Sequence, residues 1–165
     1  NIVCGDFVMK KLIGLSLPAL IFFSVLTACS QEANSESTGS KPFVLIARLH
    51  ALSEQRETVI ALSRHADERV KATEPGMLLH TFDRDPSDPL GFVWTEVYAN
   101  SDALVFHLEN PDLIAYLEEV SPLLDSFTVE LYGEVSNAAV NQLRATGTPT
   151  THYETELGYV RNLTP

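Results

Sequence analysis

From Phe43 onward, short runs of branched and aromatic residues alternate with stretches whose apolar positions recur every three or four residues. Phe43–His50 (FVLIARLH) predicts a first strand. Ser53 is placed as the N-cap of a helix, with Glu54 at the positive end of its dipole. Val59, Leu62, Ala66 and Val70 form its buried stripe, and Glu74-Pro75-Gly76 stops it. Met77–Arg84 and Gly91–Tyr98 read as an antiparallel pair around the turn Asp85–Pro89. Asn100 or Ser101 caps a short helix to Leu108, and Asn110-Pro111 restarts helix to about Val120. Phe127–Glu134 completes a β-α-β-β-α-β order, which predicts an α+β, ferredoxin-like split βαβ domain. In the remaining segment, 135–165, Ser136 caps a helix over 137–145. Gly147-Thr148-Pro149 turns the chain, and Thr151–Arg161 is read as a final strand or hairpin.

The strands are apolar on alternate positions of both kinds. Phe43, Leu45, Ala47 and Leu49 interleave with Val44, Ile46, Arg48 and His50. Leu78, His80 and Phe82 interleave with Met77, Leu79 and Thr81, and Phe92, Trp94 and Tyr98 with Val93 and Val97. Two helices cover one face of a four-stranded sheet, and a bare apolar face is a liability. The expectation is a homodimer packed sheet to sheet, enclosing a cavity, with the C-terminal strand reaching across to the partner.

The first forty residues carry a different pattern. Residues 1–8 read as upstream translated sequence, with Met9 as the start. Lys10-Lys11, the apolar run Leu12–Leu26 and small residues before a cut site make a secretory signal over 1–28. The run is shorter than the ~20 residues a spanning helix needs, and Pro18 interrupts it. Leu26-Thr27-Ala28-Cys29 resembles the cleavage box of bacterial lipoproteins, which implies acylation of Cys29 and a membrane anchor. Ser30 after the cysteine, by the same resemblance, implies the outer membrane with the domain facing the periplasm. The polar segment after Cys29, to residue 42, reads as a flexible tether.

Composition narrows the chemistry. At 45% hydrophobic the 165-residue chain can fill one core. A net charge of −11 and the lack of a basic stripe argue against a nucleic-acid partner. Two cysteines, Cys4 and Cys29, exclude a disulfide scaffold, a four-cysteine zinc site and an iron–sulfur cluster. Asp83, Asp85 and Asp88 in DRDPSDP lack the glycine and distal glutamate of an EF-hand loop and read as a solvated turn, so no metal is assigned. No HExxH, GxGxxG, P-loop or GxSxG is present.

Several motifs occur in a telling order: Glu74-Pro75-Gly76, Arg84-Asp85-Pro86, Asp88-Pro89, Phe92-Val93-Trp94-Thr95-Glu96-Val97-Tyr98, Ser101-Asp102-Ala103-Leu104, His107-Leu108 and Asn110-Pro111. The series resembles the antibiotic biosynthesis monooxygenase (ABM) domain family over residues 43–134. That resemblance implies a dimeric α/β barrel and oxidation of quinols or anthrone-like phenols by O₂ without a cofactor. A haem-degrading branch of the family uses an Asn on the first strand, and Phe43–His50 contains none. The other class of function left open is a non-catalytic periplasmic module whose cavity binds a small hydrophobic ligand.

Cofactor-free oxygenation calls for a water-poor pocket and a base near neutral pKa, for which histidine is suited. His80, among apolar neighbours, is either that base or a hydrogen-bonded histidine lining the pocket; the family often has Tyr there. His107 stands where the family often has Ala-His-Leu, and either faces the pocket or ties its helix to a loop. Glu96, between Trp94 and Tyr98 on one strand face, is either a perturbed acid–base group or half of an ion pair with Arg48. Trp94 and Tyr98 either stack on a planar quinol-like substrate or pack the core. Arg48 and His50 are placed at the pocket mouth, His65 in solvent, and His152 without an evident partner.

Overall fold

A computed structural model describes residues 39–161. The leader, Cys29 and most of the tether lie outside the described residues. The elements are β1 (Phe43–Ala51), α1 (Arg56–Thr73), β2 (Met77–Arg84), β3 (Gly91–Tyr98), α2 (Ser101–Glu109), α3 (Pro111–Val120), a 3₁₀ turn (Ser121–Leu123), β4 (Leu124–Tyr132), α4 (Asn137–Ala145) and β5 (Thr150–Tyr153). None of these helices is long and apolar enough to cross a membrane.

The sheet order is β2-β3-β1-β4-β5. The first four strands pair antiparallel, with β1 in the centre, which is the ferredoxin-like split βαβ arrangement. One face carries the core. Phe43, Leu45, Ala47 and Leu49 from β1, Phe92, Trp94 and Tyr98 from β3, and Val129 and Leu131 from β4 are all buried. Each large side chain among them contributes about 1.5–3 kcal/mol through burial. All four helices supply residues over that same face. The opposite face is open, with Val44, Ile46, Val93 and Val97 half-buried among Thr95, Thr128 and Glu130.

Local chemistry fixes most boundaries. Asn100 caps α2 by accepting from the Ala103 N–H at 2.9 Å, and Asn110 caps α3 through the Asp112 N–H at 2.9 Å. Pro111 follows at the first turn of α3. At the start of α1 the structure departs from expectation. Ser53 lies in a turn, Gln55 is the N-cap without a side-chain bond, and the helix begins at Arg56. β4 runs three residues earlier than Phe127 because the 3₁₀ turn brings the chain to the sheet edge at Leu124.

The C-terminal segment also differs. α4 is capped by Ser136 and buries Ala139, Val140 and Leu143 against the domain. Ser101, itself buried, accepts from the Ser136 N–H at 2.9 Å and ties the segment to α2. The final strand spans only Thr150–Tyr153 and pairs parallel with β4 of the same chain, so it forms neither a hairpin nor a strand to Arg161.

Between Met77 and Leu79 the β2–β3 pairing carries a bulge. Met77 pairs with Tyr98 and Leu79 with Val97, so Leu78 is the extra residue. From there His80 faces across to Glu96 and Phe82 to Trp94, on the core side of the sheet.

Candidate functional site

The bulged strand, the centre of the sheet and the four helices enclose a cavity of about 70 Å³ within one chain. Its walls include Leu45 and Ala47 of β1, Ala66 and Val70 of α1, Leu104 and Leu108 of α2, Leu113 and Tyr116 of α3, and Leu143 of α4. This cavity lies under the helices of a single copy and does not depend on the pairing of two sheets.

Five of the residues singled out in the sequence meet here. His80, Trp94, Glu96, Tyr98 and His107 all line the cavity. The His80 ring stacks on Trp94 with centroids 4.1 Å apart and planes 19° from parallel. Its Nε2 lies 4.0 Å from Glu96 Oε1. The Tyr98 hydroxyl donates to Glu96 Oε2 at 2.6 Å. Burial, followed by the charge of Glu96 and that hydrogen bond, raises the Tyr98 pKa well above 10, so the phenol stays a donor. Trp94 Nε1–H donates to the Tyr116 hydroxyl at 3.3 Å, which in turn bonds Ser63 at 2.9 Å.

Arg48 and His50 are not brought to this cavity. The pleat turns both to the open face, where Arg48 lies 3.4 Å from Glu130. His50 bridges Asp125 at 2.7 Å and Asp88 at 3.1 Å. The Glu96–Arg48 ion pair is thereby excluded, since the two side chains leave opposite faces of the sheet. His65 is exposed, as expected. His152 does have a partner, lying 2.9 Å from the Gly133 carbonyl.

Two acidic residues at the site were not singled out. Asp67, one helical turn before the end of the α1 stripe, has Oδ1 at 2.8 Å from His80 Nδ1. A carboxylate only accepts, so Nδ1 carries the proton and Nε2 faces the cavity. Glu74, in the segment that stops α1, is buried and accepts from His107 Nδ1–H at 2.8 Å and from the Asn110 amide at 2.6 Å. Burial pulls the His107 pKa down, but the Glu74 hydrogen bond and the charges of Glu96 and Glu74 outweigh it, and the pKa lies above the usual 6.5. The EPG turn signal hid Glu74 as a structural stop, and Asp67 sat among helix-surface charges. Only the tertiary contact reveals either.

The arrangement offers an acceptor nitrogen and an acceptor carboxylate oxygen side by side in an apolar chamber. A point can lie about 2.8 Å from both His80 Nε2 and Glu96 Oε1, so one oxygen atom fits between them. No group of three or more His, Cys, Asp or Glu suited to a metal ion occurs among the described residues.

Residues 42–119 match the family described as Antibiotic biosynthesis monooxygenase, ABM. An uncharacterized protein of Synechocystis is 26% identical over 117 residues, covering 70% of this chain and 79% of its own. Among solved structures, MupZ of Pseudomonas fluorescens superposes with a TM-score of 0.60 at 17% identity, over 76% of this chain and 98% of its own. A Caulobacter crescentus protein provisionally assigned to the antibiotic biosynthesis monooxygenases gives 0.54 at 22% identity, over 56% of this chain and 88% of its own. These likenesses establish the fold.

Proposed function

We propose that the protein, whose residues 42–119 match the ABM family, is a monooxygenase-like enzyme that oxidises a quinol-like or anthrone-like phenol with O₂ and no cofactor. The observation that carries this reading is the half-buried, stacked His80 with Nε2 presented to the cavity beside Glu96. A phenolic hydroxyl placed there gives its proton to Nε2. The resulting anion is electron-rich enough to reduce O₂. For a benzylic CH₂ substrate the carbon loses two hydrogens and gains one oxygen as C=O, while the O–O bond breaks and the second oxygen leaves as water. The cavity is lined mostly by apolar side chains, and Trp94 supplies a flat wall for the ring.

Size bears on the substrate. An apolar cavity of roughly 150 Å³ encloses benzene, and this one measures about 70 Å³. A substrate ring therefore enters as half-buried Leu108, Leu113 and Leu117 on α2 and α3 give way. A single-ring quinol asks less of that wall than a polycyclic one.

The same proposal places the enzyme as a homodimer, joined through the open sheet face. It is held to the outer membrane by acylated Cys29, with the domain in the periplasm, where a lipophilic substrate is at hand. A second reading has its own support. Among the described residues every side-chain nitrogen and oxygen fully closed off from solvent has a hydrogen-bond partner, and the cavity wall is mostly apolar, as a purely binding cavity would also require.

One experiment separates the two. Trp94 is the chain's sole tryptophan and lies on the cavity wall, so ligand entry reads out as a change in its emission. O₂ uptake is measured in parallel with monocyclic hydroquinones and anthrone. Uptake that is lost in His80→Ala supports the enzyme. Emission change with no uptake across the panel overturns it in favour of the binding module.

A further inference from the structure

Resting on the reading of His80 as the base, we propose that Asp67 of α1 is the positioning residue of the site, fixing the tautomer and orientation in which His80 meets its substrate. Three elements converge on one ring. Asp67 Oδ1 holds Nδ1 at 2.8 Å from the helix side, and Trp94 of β3 stacks beneath the ring at 4.1 Å. The β2 bulge turns the side chain inward from below. A ring held by one nitrogen and one face can present only its other nitrogen to the cavity. That nitrogen, Nε2, is the one 4.0 Å from Glu96.

Exposure follows the same direction. The Asp67 side chain is 44% exposed, His80 10% and Glu96 7%. The carboxylate therefore stays hydrated and remains an acceptor while the group it orients is enclosed. Once His80 has taken the substrate proton at Nε2, the imidazolium is flanked by Asp67, and it returns that proton to the departing oxygen as water. Asp67 neither touches substrate nor changes protonation. Its contribution is to the tautomer and to the charge that forms beside it.

Asp67 occupies an ordinary surface position of a helix, and its neighbour Arg69 is committed elsewhere, to Asp112 at 2.9 Å. The Asp67–His80 hydrogen bond ties α1 directly to the imidazole on the sheet.

The test is ¹⁵N NMR of the histidine rings in the intact protein, with oxidase kinetics alongside. The wild-type His80 is expected to show a protonated Nδ1 and a bare Nε2. Asp67→Asn, whose amide can donate as well as accept, is expected to move the ring toward the Nε2-protonated form. It also lowers kcat at least about tenfold with KM nearly unchanged, and Asp67→Glu restores both. A wild-type spectrum with Nε2 protonated and Nδ1 bare overturns the proposal without any variant. So does an Asp67→Asn protein that is folded by circular dichroism and keeps both the tautomer and kcat. If instead His80→Ala retains full turnover, the base reading fails, and the wild-type spectrum still reports whether Asp67 sets the ring.

Discussion

Replacing Glu74 by Gln isolates the buried cluster that joins the end of α1 to the α2–α3 elbow. In the wild type both carboxylate oxygens are used, one by His107 at 2.8 Å and one by Asn110 at 2.6 Å. The Glu74 and His107 side chains are only 2% and 7% exposed. Gln keeps a carbonyl for Asn110 and offers an amide N–H to a neutral His107, so shape and pairing survive while the charge goes. Hydrogen bonds to charged groups contribute about 1.5–3 kcal/mol, which for a domain of this size amounts to a melting temperature lower by roughly 5–12 °C in acid. The pH dependence is more diagnostic than the size. The His107 pKa lies above the usual 6.5 in the fold, so the cluster's stabilisation is complete below that value and is lost as pH rises through the folded pKa. Without Glu74, burial is the larger remaining influence and outweighs Glu96. The folded pKa then falls below the unfolded one, and the contribution grows as pH rises. Thermal melts of both proteins at about pH 6 and pH 8, followed by far-UV circular dichroism, give the comparison. Groups distant from the cluster and common to both proteins drop out of the difference. Equal pH slopes in the two proteins would refute the account of His107.

Two further outcomes follow from geometry alone. Gly133 sits at φ +126°, and a Cβ there would come 2.9 Å from Phe43 Cβ. Gly133→Ala should therefore cost about 1–3 kcal/mol in urea unfolding, and an unchanged midpoint would contradict this turn geometry. Val97→Lys puts a charge on the open sheet face opposite Val44 and Leu79. If that face joins two copies, sedimentation should show a monomer with an unaltered circular dichroism spectrum, and a persisting dimer would move the interface elsewhere.

The strands and helices from Met77 to Val120 could be read closely because Pro, Gly and Asn punctuate them at positions where their backbone chemistry is decisive. β4 was displaced in the sequence reading because Leu124-Asp125-Ser126 offers little strand character of its own and is drawn in by pairing with β1. Tyr159 and Val160 look strand-like in sequence, yet both are exposed, and among the described residues no strand pairing extends beyond Tyr153. In the site, alternation along β3 correctly gathered Trp94, Glu96 and Tyr98 on one face. The Arg48–Glu96 pairing failed because two residues on adjacent strands meet only when the register gives them the same side, and the register is a tertiary fact. Asp67 and Glu74 were missed for the related reason that their partners lie 13 and 33 residues away in sequence.

The irregularity at Leu78 also bears on how this chain can change. Met77 and Leu79 already oppose consecutive residues of β3, so losing Leu78 would leave a regular ladder, with the imidazole still opposite Glu96 and Phe82 still opposite Trp94. A residue lost at Thr81 meets no such slack. His80 and Phe82 would become neighbours in sequence, neighbours in a strand point to opposite sides, and one of the two rings would leave the inner face. The kink is thus a spare link, and the stretch just beyond it is the part of the strand that must keep its count.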